Sequence, residues 1–183
     1  MESRPAIDKS FRSASPFLKN VLKDEVLSKS ICADHCLDIP CGNGRNTFLL
    51  ASYAKRVTAI DLSQKYLDSL CEAQTEYWHQ NIETIQLDVL DQPLNDMKKY
   101  GLVCNIHFYH ESLIRQLLTT MHKDALLLIE TPACHGQNFR MLPNEIEANE
   151  IFKDYQVLHY EFRPCKHIDN YEQRGVLKTL IKI

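Results

Sequence analysis

No stretch of this chain is apolar for long enough to cross a bilayer. Near the N-terminus Arg4, Asp8, Lys9 and Arg12 stand where a secretory signal would carry its apolar core. Neither a membrane span nor a signal peptide is therefore expected, and the chain reads as cytoplasmic. Basic extensions are lacking too. The formal net charge is −3 and the Lys and Arg residues are dispersed, which disfavours a nucleic-acid partner held through its phosphates. No repeat, low-complexity tract or linker interrupts the 183 residues, a length suited to one domain that buries roughly 70% of its unfolded surface. Residues 1–183 are accordingly expected to form a single domain. The seven cysteines are odd in number and include no Cys-x-x-Cys pair, which suits reduced thiols better than a disulfide framework. Cys32, Cys36 and Cys41, with His35 among them, are spaced by four and five. That spacing does not match a zinc knuckle, and no metal site is expected.

What is present begins at His35, where the sequence reads HCLDIPCGNGRNT. A short apolar run ends in Asp38, crosses a loop through Pro40, Cys41, Gly42 and Gly44, and enters a helical pattern. Two glycines let a backbone approach a ligand closely, and the following helix presents unpaired N–H groups to it. A second apolar run, Val57 to Ile60, ends in Asp61, 19 residues after Gly42. An acid at that place accepts both hydroxyls of a ribose. A dinucleotide fingerprint would continue with a third glycine, but that position holds Thr47, which counts against NAD. The acid inside the signature, Asp38, suits S-adenosylmethionine instead, whose methionine end carries an ammonium and which has no pyrophosphate. A third strand pattern ends in Asp88-Val89, where a carboxylate could accept from an adenine amino group.

The segments LDIPCGNGRNT, VTAIDLS and QLDVLD resemble the first three cofactor motifs of class I S-adenosylmethionine-dependent methyltransferases. Farther out, SPFLKNVL, LVCNIHFYHESLIRQLL, LLLIETP, NFRMLPNEIEANEIF and YQVLHYEF resemble the small tellurite-resistance-type branch of that family, so the resemblance covers most of the chain. Departures include Pro40 in place of a small residue, Gly101 in place of Asp, His107 where Asn is common, and His122-Lys123-Asp124 in place of a Pro-Gly-Gly turn. The resemblance implies S-adenosylmethionine as cofactor, held by Asp38, Pro40, Cys41, Gly42, Gly44, Asp61, Leu62, Asp88, Val89 and Asn105. It does not extend to a particular acceptor.

Along the chain the pattern predicts a helix from Pro16 to about Lys29, then strand 35–39, helix 44–54, strand 57–61, helix 63–79 and strand 82–88. Little regularity is expected at 92–100, followed by strand 101–106, helix 111–121, strand 124–130 and helix 143–152. Such alternation means a parallel sheet with helices on both faces. Tyr155 to Phe162 and Gly175 to Ile183 are joined by too short a loop for a crossover and should pair antiparallel. The expected fold is a doubly wound, Rossmann-like α/β domain, a mostly parallel seven-stranded sheet with an antiparallel C-terminal strand. Residues 1–30 are expected to form a helical segment over the cofactor site.

Ligands of open α/β sheets bind past the carboxyl ends of the strands. That places the candidate chemistry at His107, Phe108, Tyr109 and His110 after the fourth strand and at Glu130, Thr131 and His135 after the fifth. His110, Glu130 and Tyr109 are the candidate catalytic residues, in that order. The first expectation is methyl transfer to a small-molecule acceptor by a monomer or homodimer. A non-catalytic S-adenosylmethionine-binding protein for regulation or assembly is the alternative, and a nucleic-acid methyltransferase comes third. Against the last, Asn105-Ile106-His107-Phe108 occupies the place of an Asn-Pro-Pro-Tyr-type motif.

Overall fold

A computed structural model describes residues 14–24, 34–77, 80–133, 142–163, 167–168, 171–172 and 175–183. Ser15 caps α1 (Pro16–Lys23), its hydroxyl accepting from the Leu18 N–H while Pro16 occupies the first helical position, where a missing N–H costs nothing. The helix stops at Lys23 because Asp24 is extended, with φ −68° and ψ 117°, several residues before the expected end near Lys29. Then follow β1 (His35–Asp38), α2 (Arg45–Ala51), β2 (Arg56–Asp61), α3 (Gln64–Tyr77) and β3 (Ile82–Gln86). A 3-10 turn at Met97–Lys99 lies within the segment expected to be irregular. The remainder is β4 (Leu102–Ile106), α4 (Glu111–Thr120), β5 (Leu126–Ala133), α5 (Glu145–Phe152), β6 (Gln156–Arg163) and β9 (Gly175–Lys182), with the two-residue strands β7 (His167–Ile168) and β8 (Tyr171–Glu172) between the last two.

The sheet has seven strands in the order β3-β2-β1-β4-β5-β9-β6. Every pair from β3 to β5 is parallel, and β9 runs antiparallel to both β5 and β6. This is the expected doubly wound architecture with a reversed last strand. The strand alternation sorts two cores. Cys36, Val57, Leu102 and Leu126 face one side and meet Leu18, Phe48 and Leu70 of the first three helices. Leu37, Val103, Leu127 and Ile181 face the other side and meet Leu113, Leu117 and Phe152. Strand β5 continues three residues past Glu130 because Thr131, Pro132 and Ala133 pair with Leu177, Val176 and Gly175.

β1 and β4 are neighbours although helices and two further strands separate them in sequence. The chain therefore reverses its winding direction between them, and a crevice opens past their carboxyl ends. The glycine turn after β1 sits there. Gly44 caps α2 at φ +84°, and a Cβ added to it would lie 2.7 Å from Leu70 Cδ1. Gly44→Ala thus combines a left-handed backbone with a displaced core leucine. It should lower the stability of the protein by about 1–2 kcal/mol, read as a shifted urea midpoint with an unchanged slope.

Candidate functional site

An open cleft of about 450 Å³ lies at this crevice, lined by Pro40, Cys41, Gly42 and Asn43 of the turn and by Arg45 and Asn46 of α2. Asp61 at the end of β2, Tyr66 of α3, and Ile106 and His107 at the end of β4 complete its wall. The volume falls within the roughly 300–1,000 Å³ of small-molecule sites. The turn is braced from several sides: Cys41 N–H donates to the Ile60 carbonyl at 2.8 Å, Ile39 N–H to the Cys104 carbonyl at 2.9 Å, and Gly44 N–H to the Cys41 carbonyl at 3.1 Å. Asn105, fully buried on β4, donates its amide to the Ile39 carbonyl at 2.8 Å, so β4 holds the loop leading into Pro40. A Cβ on Gly42, where φ is +54°, would meet nothing within 4 Å. The backbone here is bare and faces open space.

Asp61 is buried at the cleft wall and accepts from two backbone amides, Gly42 N–H and Ser63 N–H, both at 2.8 Å. A carboxylate has about four accepting positions, so two such bonds leave capacity for ligand hydroxyls. Asp38 is wholly buried at the end of β1, and its Oδ2 accepts from the Thr47 hydroxyl at 2.6 Å. Its Oδ1 has no hydrogen-bond partner among the described residues. Burial pushes the Asp38 carboxyl up to about 7, against the lowering effects of the Thr47 bond and the Arg45 charge, while Asp61 adds a smaller upward push. Burial together with these two acids also holds the Cys41 thiol far above its ordinary range, so this cysteine is an inert part of the wall.

Of the expected cofactor residues, Pro40, Cys41, Gly42 and Asp61 line the cleft. Asp38, Gly44 and Asn105 are buried around the turn. Leu62, Asp88 and Val89 follow the ends of β2 and β3; Leu62 is exposed, and the Asp88 carboxylate accepts from Leu90 N–H at 3.0 Å in a local turn. The three candidate catalytic residues are at the ends of β4 and β5 but do not line the cleft. Tyr109 is buried in the core below α4, and burial first, then Glu111 and Glu147, pushes its phenol up to about 12. His110 caps α4, its Nδ1 2.7 Å from the Ser112 hydroxyl. Glu130 receives the Ser15 hydroxyl proton in a hydrogen bond, and its backbone carbonyl accepts from His107 N–H at 2.7 Å. His135 lies outside the described residues.

Residues absent from the sequence expectation complete the wall. Asn43, Arg45 and Asn46 stand inside the motif already quoted, where the first helical turn after a glycine loop must face the crevice, so their position signals them. Tyr66 is on the opening turn of the helix after Asp61 and carries a weaker signal of the same kind. Ser15 carries none: its N–H donates to Asn46 Oδ1 at 2.9 Å and its hydroxyl reaches Glu130, contacts spanning 31 and 115 residues. The start of α1 is thereby anchored between the cleft wall and β5. Residues 1–13 and 25–30 of the expected N-terminal segment lie outside the described residues.

Residues 36–124 match the family model described as a methyltransferase domain, and they are the segment that carries β1 to α4 and the cleft. The fold, with its glycine turn and acid-tipped strands, is the Rossmann-like fold of the methyltransferases that use S-adenosylmethionine. The residues present fit that molecule, with an unpartnered buried carboxylate oxygen on Asp38, accepting capacity on Asp61, and bare backbone at Gly42. Among solved structures, TehB from Haemophilus influenzae superposes with a TM-score of 0.72 at 20% identity, covering 90% of this chain and 61% of that one. The chain thus spans about three-fifths of TehB, in keeping with the branch it resembles in sequence. An S-adenosylmethionine-dependent methyltransferase from Clostridium acetobutylicum superposes with a TM-score of 0.68 at 12% identity, covering 91% of each chain. Coclaurine N-methyltransferase bound to N-methylheliamine and SAH does so with a TM-score of 0.66 at 19% identity, covering 88% of this chain and 53% of that one. At these identities the superpositions show the fold. No curated protein matches the sequence significantly.

Proposed function

We propose that this protein transfers a methyl group from S-adenosylmethionine to a small-molecule acceptor by in-line displacement. The observation that carries the reading is the cleft itself, where the glycine turn, Asp61 and the end of β4 converge on one small-molecule-sized space. When bound, S-adenosylmethionine supplies a methyl carbon activated by its sulfonium. The chain holds the cofactor through Asp61 at the ribose, the turn from Pro40 to Gly44 at the methionine end, Asp38 toward the ammonium, and Leu62, Asp88, Val89 and Asn105 around them. Its further contribution is orientation in a site that excludes water, an effect worth roughly 7–11 kcal/mol in well-positioned reactions.

A single domain over residues 1–183 is part of this reading, with the N-terminal segment over the cofactor site and a monomer or homodimer as the working unit. A small acceptor is favoured over nucleic acid by the net charge of −3 and by the size of the cleft. Among the described residues no helix is long and apolar enough to cross a membrane. The odd count of seven cysteines, with no Cys-x-x-Cys pair, supports a cytoplasmic setting.

Asp61→Ala removes both the ribose acceptor and the carboxylate that holds Gly42 N–H. It should weaken S-adenosylmethionine binding by about 2 kcal/mol while the circular dichroism of the folded protein persists; calorimetric titration measures the loss. The acceptor class is tested by release of S-adenosylhomocysteine across a panel of thiols, oxyanions, amines, hydroxyl compounds and RNA. Release with at least one small molecule and none with RNA supports the reading, whereas release with RNA alone would replace it. A protein that binds the cofactor but releases nothing with any of them is a regulatory binder.

A further inference from the structure

We propose that the acceptor is a neutral hydroxyl or amine compound and that His107 is the base that takes its proton. The proposal rests on the methyl-transfer reading above and adds to it the chemical class of the acceptor. Three ionisable side chains follow β4 in a row of four, and His107 alone of them lines the cleft. Tyr109 turns into the core and His110 bonds to Ser112. The difference is made by the backbone. His107 has φ 64°, a left-handed conformation that a histidine adopts uncommonly, and its N–H is held by the Glu130 carbonyl at 2.7 Å. Strain of this kind collects where a side chain must be aimed, and here it leaves the imidazole exposed on the cleft wall at the strand end.

The titratable and charged groups around the cleft come from each neighbouring element: Arg45 of α2, Asp61 of β2, Tyr66 of α3, Cys41 of the turn and Glu130 of β5. Burial and the Arg45 charge lower the imidazole from its ordinary value, and Glu130 opposes them in part. The ring is thereby kept uncharged at neutral pH with a nitrogen lone pair available, while Glu130 is near enough to favour the cation once it forms. With a hydroxyl acceptor the O–H bond breaks as the oxygen becomes the nucleophile, its electron pair staying on oxygen. A neutral amine attacks with its own lone pair, and its N–H bond breaks once the nitrogen has become cationic. In both cases the proton joins the imidazole lone pair to give imidazolium. The proton then leaves to water. A thiolate or another anion carries its nucleophilic pair already and needs no such base.

His107→Asn tests this, because asparagine accepts the left-handed backbone but offers no base. With hydroxyl or amine acceptors the variant should lose about 10²-fold in kcat, with KM and cofactor affinity within about threefold. It should also lose the acid limb of the wild-type pH profile, and thiolate acceptors, if turned over at all, should be indifferent to it. Independently of turnover, the one histidine ring resonance missing from the spectrum of the cofactor-free variant should titrate in the wild type below the ordinary 6.5. The proposal is overturned if His107→Asn keeps both turnover and the acid limb, if the ring titrates at or above the ordinary value, or if the wild type methylates thiolates only. A wild type that releases no S-adenosylhomocysteine with any acceptor overturns the methyl-transfer reading, and this proposal with it.

Discussion

Replacing Asp38 by asparagine should stabilise the cofactor-free protein above pH 7 by up to about 4 kcal/mol and change it little below pH 4. The carboxyl titrates near its ordinary 3.8 when the chain is unfolded and near 7 when it is folded, because burial penalises the charge more than Thr47 and Arg45 favour it. The folded state therefore holds the Asp38 proton more tightly. Its contribution is fully present below pH 4, declines as the pH rises from about 4 to about 7, and is gone above that. Asparagine has no proton to lose, so the variant should show no such decline. Cofactor affinity should move the other way across the same window, because only the ionised carboxylate attracts an ammonium. Wild-type binding should strengthen between pH 6 and 8, and Asp38→Asn should bind more weakly with a flatter pH dependence. Urea denaturation over a pH series and calorimetry at its two ends measure both. Parallel curves for wild type and variant would place the Asp38 proton elsewhere.

The second large effect is expected past β4 and β5. Tyr109→Phe, His110→Ala and Glu130→Gln should each leave cofactor affinity within about tenfold, yet at least one should lower methyl transfer by about 10²-fold or more, since positioning and proton-transfer groups act mainly in the transition state. Glu130 is the foremost of the three by position. Its carbonyl fixes the backbone of His107, its carboxylate receives the Ser15 hydroxyl, and its charge reaches the His107 ring. Single-turnover measurements with a saturating acceptor separate this loss from weakened binding. If turnover is present and all three variants keep it, none of these side chains takes part.

The cleft wall around the glycine turn was legible because it is local. Asp38, Gly42 and Gly44 lie within seven consecutive positions, and Asp61 closes the next strand. A strand that ends at a glycine turn before a helix leaves few other conformations, and Gly44 at φ +84° is one that glycine alone adopts readily. The reversed last strand was legible for a topological reason, since no crossover helix fits between Phe162 and Gly175.

Other features depend on contacts far apart in sequence. The extension of β5 to Ala133 needs β9 as its partner. The tether of Ser15 to Glu130 joins residues with no local pattern in common. The acceptor side was the least legible part. His107, Tyr109 and His110 are all polar-tipped residues in one short run, and periodicity ranks none above another. A single left-handed residue at His107 rotates the run, so that one ring reaches the cleft while Tyr109 enters the core. Outside glycine, such a dihedral leaves little trace in the sequence.

Calorimetric titration of the wild-type protein with S-adenosylmethionine, S-adenosylhomocysteine and NAD tests the central claim most directly. The cleft built by Asp38, the glycine turn and Asp61 predicts saturable heat with the first two and none with NAD. Binding of NAD, with no heat from S-adenosylmethionine or S-adenosylhomocysteine, would contradict it.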